Sequence, residues 1–284
     1  MASDKQLLIR WFYRAELDDG ELDFQEVLAR AVKEALGKKD LDVDGFVTAN
    51  LTRYWNCLLA EAEENKKRGV TQLVQGATTT GIRRCTWFPP IAGCSPSEAL
   101  RYRRLRLRPG FLRAIDSLND REYEAAGVIL ARVAGADKFL LTPHGNEGGI
   151  DFFARMPQGG RTHIFSGSWS PIRIVGQSKQ YDSKVSVDLV RDFITTLDCV
   201  RYQAKQVKDL IPAWFKDVRG PIIGWIISHN GFQSGAETLA NDHGIVLSTS
   251  IDMAEALSHS DLHAPFLHLP DKQYEFVRQV RACL

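Results

Sequence analysis

Asp151, Gln177 and Lys179 are side chains whose types and order suit hydrolysis of a phosphodiester. Asp151 lies in GNEGGIDFF, residues 145 to 153, where glycines at 145, 148 and 149 lead into an apolar run. Gln177 and Lys179 lie in IVGQSKQY, residues 174 to 181. Residues i and i+2 of a strand point the same way, so a strand here puts Gln177 and Lys179 on one face. A neighbouring strand opening at Asp151 would add a carboxylate to that pair. Hard cations such as Mg²⁺ take oxygen ligands, which Asp151 and Gln177 both offer. Such an ion polarises a phosphoryl oxygen and generates a nucleophilic water, and Lys179 would orient that water or offset developing charge. Glycines before Asp151 would let a phosphate backbone come close without a side-chain clash.

The surrounding pattern supplies elements to hold these residues. KFLLTPH, IDFFARM, IRIVGQSKQY, PIIGWIIS and GIVLSTS read as strands. Runs such as IIGWII alternate little, which fits a sheet covered on both faces. Between them, SLNDREYEAAGVILARVAGA, VSVDLVRDFITTLDCVRYQAKQV, GAETLAND and SIDMAEAL carry helical spacing. In the first of these, Asn119 or Ser117 is the expected N-cap, with Tyr123, Val128, Ile129 and Val133 inward. Residues 111–258 are therefore expected to form an α/β domain with a central mixed sheet flanked by helices.

The first third reads differently. DKQLLIRWFYRAEL and ELDFQEVLARAVKEAL are amphipathic, the second running through Leu22, Val27, Leu28, Ala31, Val32 and Leu36 to a stop at Gly37. A third helix is expected from about Val47 to Lys66, with Trp55, Leu58 and Leu59 inward. TTTGIRRCTWFPPI, rich in β-branched and aromatic residues, then suggests a strand or short hairpin. Three helices and a hairpin outline a winged helix over residues 1–95. Residues 96–110 hold the basic run RYRRLRLRPG, expected to be a solvated linker or an exposed strand edge. Its Arg101, Arg103, Arg104, Arg106 and Arg108 are candidate contacts to a phosphate backbone. Residues 259–284 form a C-terminal tail with a short helix.

EYEAAGVILARVAG, GNEGGIDFFA, VGQSKQYDSKVSVDLVRDFITTL and WIISHNGFQSGAETLANDHGIVLSTSIDMAEAL together resemble the catalytic domain of Mrr-like restriction endonucleases. That family belongs to the PD-(D/E)XK nuclease superfamily, here in the variant with glutamine in the second acidic position. The resemblance covers roughly residues 110–258 and implies a restriction-endonuclease-like core. It makes Asp151 the metal-binding aspartate, Gln177 the glutamine ligand, Lys179 the catalytic lysine and Glu124 the helix glutamate, in preference to Glu122. It further implies a Mg²⁺-dependent DNA endonuclease, with Mn²⁺ able to substitute, acting on double-stranded DNA in restriction or anti-phage defence. A homodimer or a defence-system partner protein is expected by the same analogy. The sequence departs from compact relatives in the long hairpin MPQGGRTHIFSGSWSPI and the extended segment CVRYQAKQVKDLIPAWFKDVRG.

Other features exclude more than they assign. With 36 basic and 35 acidic side chains, net charge names no partner, so a nucleic-acid surface must come from local clustering. The five cysteines include no C-x-x-C pair, which argues against structural zinc and fits reduced thiols in a cytoplasmic protein. No signal peptide or membrane-length apolar run is visible, so no membrane partner is expected. No Walker loop or G-x-S-x-G elbow occurs. His144, just before the glycine turn, is a further candidate contact to phosphate, whereas His259, His263 and His268 read as surface histidines of an irregular tail. Two other readings keep or abandon the chemistry: a repair or recombination nuclease of the same fold, or a decayed DNA-binding or interaction module.

Overall fold

The computed structural model describes residues 3–15, 17, 21–67, 74–75, 80–83, 95–145, 148–157, 170–260 and 272–284. The chain divides into two units, Met1–Arg113 and Ala114–Leu284.

In the first unit, α1 (Asp4–Arg14) opens on Ser3, whose N–H donates to Gln6 Oε1 at 2.9 Å. Strand β1 (Leu22–Asp23) leads directly into α2 (Phe24–Leu36). The Asp23 carboxylate accepts from the N–H groups of Gln25 and Glu26, which holds Asp23 extended and starts the helix one residue later. Leu22, expected on the inner face of that helix, therefore pairs across a sheet with Ile82. Gly37 ends α2 at φ +63°, the left-handed position where a glycine costs least. Helix α3 (Asp40–Lys67) begins a turn and more before the expected Val47. Its inner residues are Val43, Val47, Tyr54 and Leu58; Trp55 stacks edge-on to Phe24, and Leu59 is exposed. Strands β2 (Val74–Gln75) and β3 (Gly81–Arg83) complete an antiparallel sheet in the order β1-β3-β2. The remainder of the expected hairpin, residues 78–79 and 84–91, lies outside the described residues.

The basic run falls in two helices and the turn between them rather than in a strand edge. Arg101, Arg103 and Arg104 fall in α4 (Pro96–Leu105), and Arg108 opens α5 (Arg108–Asp116). Arginine is a good helix former, and a proline at the first helical position starts a helix without losing a bond. Arg106 is exposed between the helices. Arg108 is 1% exposed, with its guanidinium 5.9 Å from the Tyr13 ring centroid, so it packs in the interior of the unit.

The second unit is α/β. Its strands are β4 (Lys138–Leu141), β5 (Phe152–Met156), β6 (Ile172–Lys179), β7 (Ile222–Ser228) and β8 (Val246–Thr249), in spatial order β4-β5-β6-β7-β8. β4, β5 and β6 pair antiparallel, while β6, β7 and β8 pair parallel, giving a central mixed sheet. Helix α6 (Asp120–Val133) covers one face; α7 (Val187–Arg201), α8 (Ala213–Lys216) and α9 (Ser234–Asp242) lie with the other. Helix α10 (Ser250–His259) follows β8, and α11 (Lys272–Arg281) packs on α6. The expected cap is present: the Asn119 side chain accepts from the Glu122 N–H, and the Glu122 carboxylate accepts from the Asn119 N–H. On the α7 side, Val175 and Ile226 join Val190, Phe193 and Leu197 in the core. Each such side chain contributes roughly 1.5–3 kcal/mol when fully buried. On the α6 side the fit is tight, because a Cβ on Gly176 would stand 2.0 Å from the Phe152 ring. Among the described residues no helix is long and apolar enough to cross a membrane.

Candidate active site

Antiparallel pairing of β5 with β6 sets Phe152 opposite Gly176 and Met156 opposite Ile172. Asp151 immediately precedes β5, with its N–H donating to Gly176 O at 2.9 Å. Its Oδ2 accepts the Ser178 N–H at 2.5 Å. The carboxylate thus lies against the peptide that joins Gln177 to Ser178, taking the place of a main-chain acceptor where regular pairing stops. Asp151 is 2% exposed, and the Thr142 hydroxyl donates to its carbonyl and to that of Ile150.

The glycine turn next to Asp151 has a conformational task. Gly148 and Gly149 both adopt positive φ, +53° and +80°, where an ordinary side chain is strained. The turn aims Gly149 O at the Gln177 Nε2 amide, which donates to it at 2.9 Å, and Gly148 O at the Thr196 hydroxyl of α7. Gln177 is 7% exposed, and its Oε1 has no hydrogen-bond partner among the described residues. A buried amide oxygen without a donor is costly by about 1–3 kcal/mol, which a cation or a bound group would offset.

Lys179 stands two residues beyond Gln177 on the same face of β6, at the last position of the strand. Its Nζ is 6.0 Å from the Tyr181 ring centroid. The Asp151 carboxylate thus lies at the Gln177–Ser178 peptide, and Lys179 follows on the Gln177 face. Asp151 and Gln177 fit a divalent ion by donor type, one anionic and one neutral oxygen, the latter still unsatisfied. Among the described residues no group of three or more His, Cys, Asp or Glu side chains could hold a metal.

Glu124 lies on α6 in an ion pair. Its carboxylate pairs with Arg121 at 2.6 Å, and Arg121 donates to Thr142 O at 2.5 Å. That chain of contacts leads to Thr142, whose hydroxyl donates to the Asp151 carbonyl. Glu122 caps α6 and pairs with Arg281, and the Asn119 N–H and the Arg281 guanidinium hold its carboxyl below the usual carboxylate range. His144 is exposed at the turn that follows β4. His259 belongs to the last turn of α10, 3.3 Å from Glu255, while His263 and His268 lie outside the described residues, as do Asn146 and Glu147.

Sequence reading missed a group at the C-terminal end of β6 and β7. The buried His229 ring meets Asp116 Oδ1 through Nε2 at 2.7 Å and stands edge-on to Tyr123. Only the polar triplet SHN closing an apolar strand hinted at it, and Asp116 is too distant in sequence for any local pattern.

The chain matches no protein-family model and no curated protein. Among solved structures, it is similar to the MspJI restriction endonuclease in complex with a 27-mer oligonucleotide. The identity is 18% and the TM-score 0.42, covering 70% of this chain and 40% of that one. It is also similar to AspBHI, a DNA modification-dependent restriction endonuclease. There the identity is 18% and the TM-score 0.41, covering 73% of this chain and 47% of that one. The structural neighbours are thus restriction endonucleases, and the chain spans less than half the length of each.

Proposed function

We propose that the second unit is a metal-dependent DNA endonuclease that hydrolyses phosphodiester bonds of double-stranded DNA. One observation supports this most: a buried carboxylate, Asp151, is held against the peptide between Gln177 and Ser178, beside the unpartnered Gln177 Oε1. Asp151 and Gln177 would hold Mg²⁺, with Mn²⁺ as substitute, and the bound ion supplies Lewis-acid polarisation and an activated water. Lys179 supplies positive charge to a pentacovalent phosphate from the same strand face. Gln177 is kept in a productive orientation by Gly149 O, so its oxygen rather than its amide hydrogens faces away from the turn.

The finer reading is restriction or anti-phage defence in the cytoplasm, with the first unit choosing the target. Two copies acting on opposite strands would give a double-strand break, because each chain offers one such site. The test is cleavage of supercoiled plasmid, prepared with and without base methylation, in Mg²⁺, Mn²⁺ and EDTA. Nicked or linear product with either metal and none in EDTA is expected. A gel shift with no cleavage in either metal would replace the enzyme with a DNA-binding module.

A further inference from the structure

Lys179 is the final residue of β6, and a strand end loosens unless the residues after it are held. Three contacts hold it. The His229 N–H donates to Lys179 O at 2.9 Å. Gln180 Nε2 donates to Leu118 O at 2.5 Å. Asn230 Nδ2 donates to Tyr181 O at 2.6 Å. The last of these is itself aimed by a buried relay. The Asn230 amide nitrogen also stands 3.3 Å from His229 Nδ1, and an amide NH₂ only donates, so Nδ1 accepts. The ring proton is then on Nε2, where it is donated to Asp116 Oδ1. The His229 side chain is 4% exposed, so this orientation is fixed from both ends.

We propose that Asn230, oriented by His229 and Asp116, is a positioning residue for Lys179. It pins the Tyr181 carbonyl and with it the ring that lies 6.0 Å from the Lys179 ammonium. Lys179 emerges from the sheet on the Gln177 face, whereas the His229 ring packs against Tyr123 of α6 on the other. The relay therefore acts through the main chain across the sheet. The inference rests on the endonuclease reading, since it assigns Lys179 a role only there.

The test uses full-length Asn230→Ala and Asn230→Asp, the second keeping the shape while replacing the N–H donor with an acceptor. Single-turnover cleavage of the plasmid that the wild type cuts is measured in Mg²⁺. Affinity for a short fluorescent duplex is measured in Ca²⁺, and the thermal midpoint of each variant is recorded. Both variants are expected to cut about tenfold more slowly, as misplacement of a catalytic group costs, with affinity and midpoint at wild-type values. Cleavage within twofold of wild type would overturn the proposal. So would parallel loss of rate, affinity and midpoint, which marks a merely structural contact. A wild-type chain that cuts no plasmid with any metal would remove the endonuclease reading itself, and this proposal with it.

Discussion

The two faces of β6 are built to different rules. On the α6 face, Gly176 lies under Phe152, and the Ser178 hydroxyl sits so close to Gly127 that a Cβ there would be 2.7 Å from it. On the α7 face, Val175 is core, but Gln177 and Lys179 continue the row as polar groups. Both faces hold a buried oxygen without a partner among the described residues, Ser178 Oγ and Gln177 Oε1. Only the second shares its strand face with Lys179. An unsatisfied atom is thus not a site in itself; its chemical company makes it one.

Changing the carboxylate should break this contrast most strongly. Asp151→Ala would strand the buried Ser178 N–H, at about 1–3 kcal/mol, so loss of activity would be mixed with loss of fold. Asp151→Asn keeps an acceptor for that N–H. It should lower cleavage by about 100-fold or more while leaving the thermal midpoint near wild type, as removing a charge that acts in the transition state does. Near-normal plasmid cleavage by this variant would remove Asp151 from the site.

Gln177→Glu sharpens the contrast further, because sequence and structure disagree about it. Read from the sequence, the change restores the commoner carboxylate ligand and should keep or raise activity. In the structure Gly149 O requires a donor, and a carboxylate oxygen would face it instead at 2.9 Å. Cleavage should therefore fall about tenfold, with roughly 1–3 kcal/mol of stability lost, read from urea unfolding beside Mn²⁺ titration calorimetry. Activity at or above wild type would show that the turn rearranges freely.

The other face should respond in stability alone. Gly176→Ala forces a methyl into the Phe152 ring and should cost about 1–3 kcal/mol, seen as a lower urea midpoint. Cleavage per folded molecule should change little below the transition. The smallest effect is expected at Glu122. Its depressed carboxyl pKa contributes stability that is present above the unfolded value, about 4.3, and is lost as pH falls through the lower folded value. Glu122→Gln should flatten the decline of thermal midpoint with acid below about pH 4.3 and leave cleavage at neutral pH unchanged.

Periodicity made much of the sheet readable. KFLLTPH, IDFFARM, IRIVGQSKQY, PIIGWIIS and GIVLSTS hold β4 to β8, and alternation alone put Gln177 and Lys179 on one face. Asn119 and Gly37 were readable because caps are local chemistry. What escaped depends on partners far along the chain. The arginine run looked solvated because nothing nearby shows that Arg108 stacks over Tyr13. The glycines before Asp151 looked like clearance for phosphate, yet their positive φ values serve carbonyl acceptors for Gln177 and Thr196. Asp116 and His229 meet although 113 residues separate them in the chain.

The register of β5 with β6 has a consequence for engineering the chain. Asp151 and Gln177 sit at one end of this hairpin, and the chain crosses over at the other, leaving at Met156 and returning at Ile172. With about 3.4 Å per strand residue, the five steps from Asp151 to Met156 put the crossover roughly 17 Å from the carboxylate. Loop closure costs only about 0.6 kcal/mol more for each doubling of length. A fluorescent tag or a peptide inserted between Met156 and Ile172 is thus expected to leave Asp151 and Gln177 in register, offering a handle on the protein.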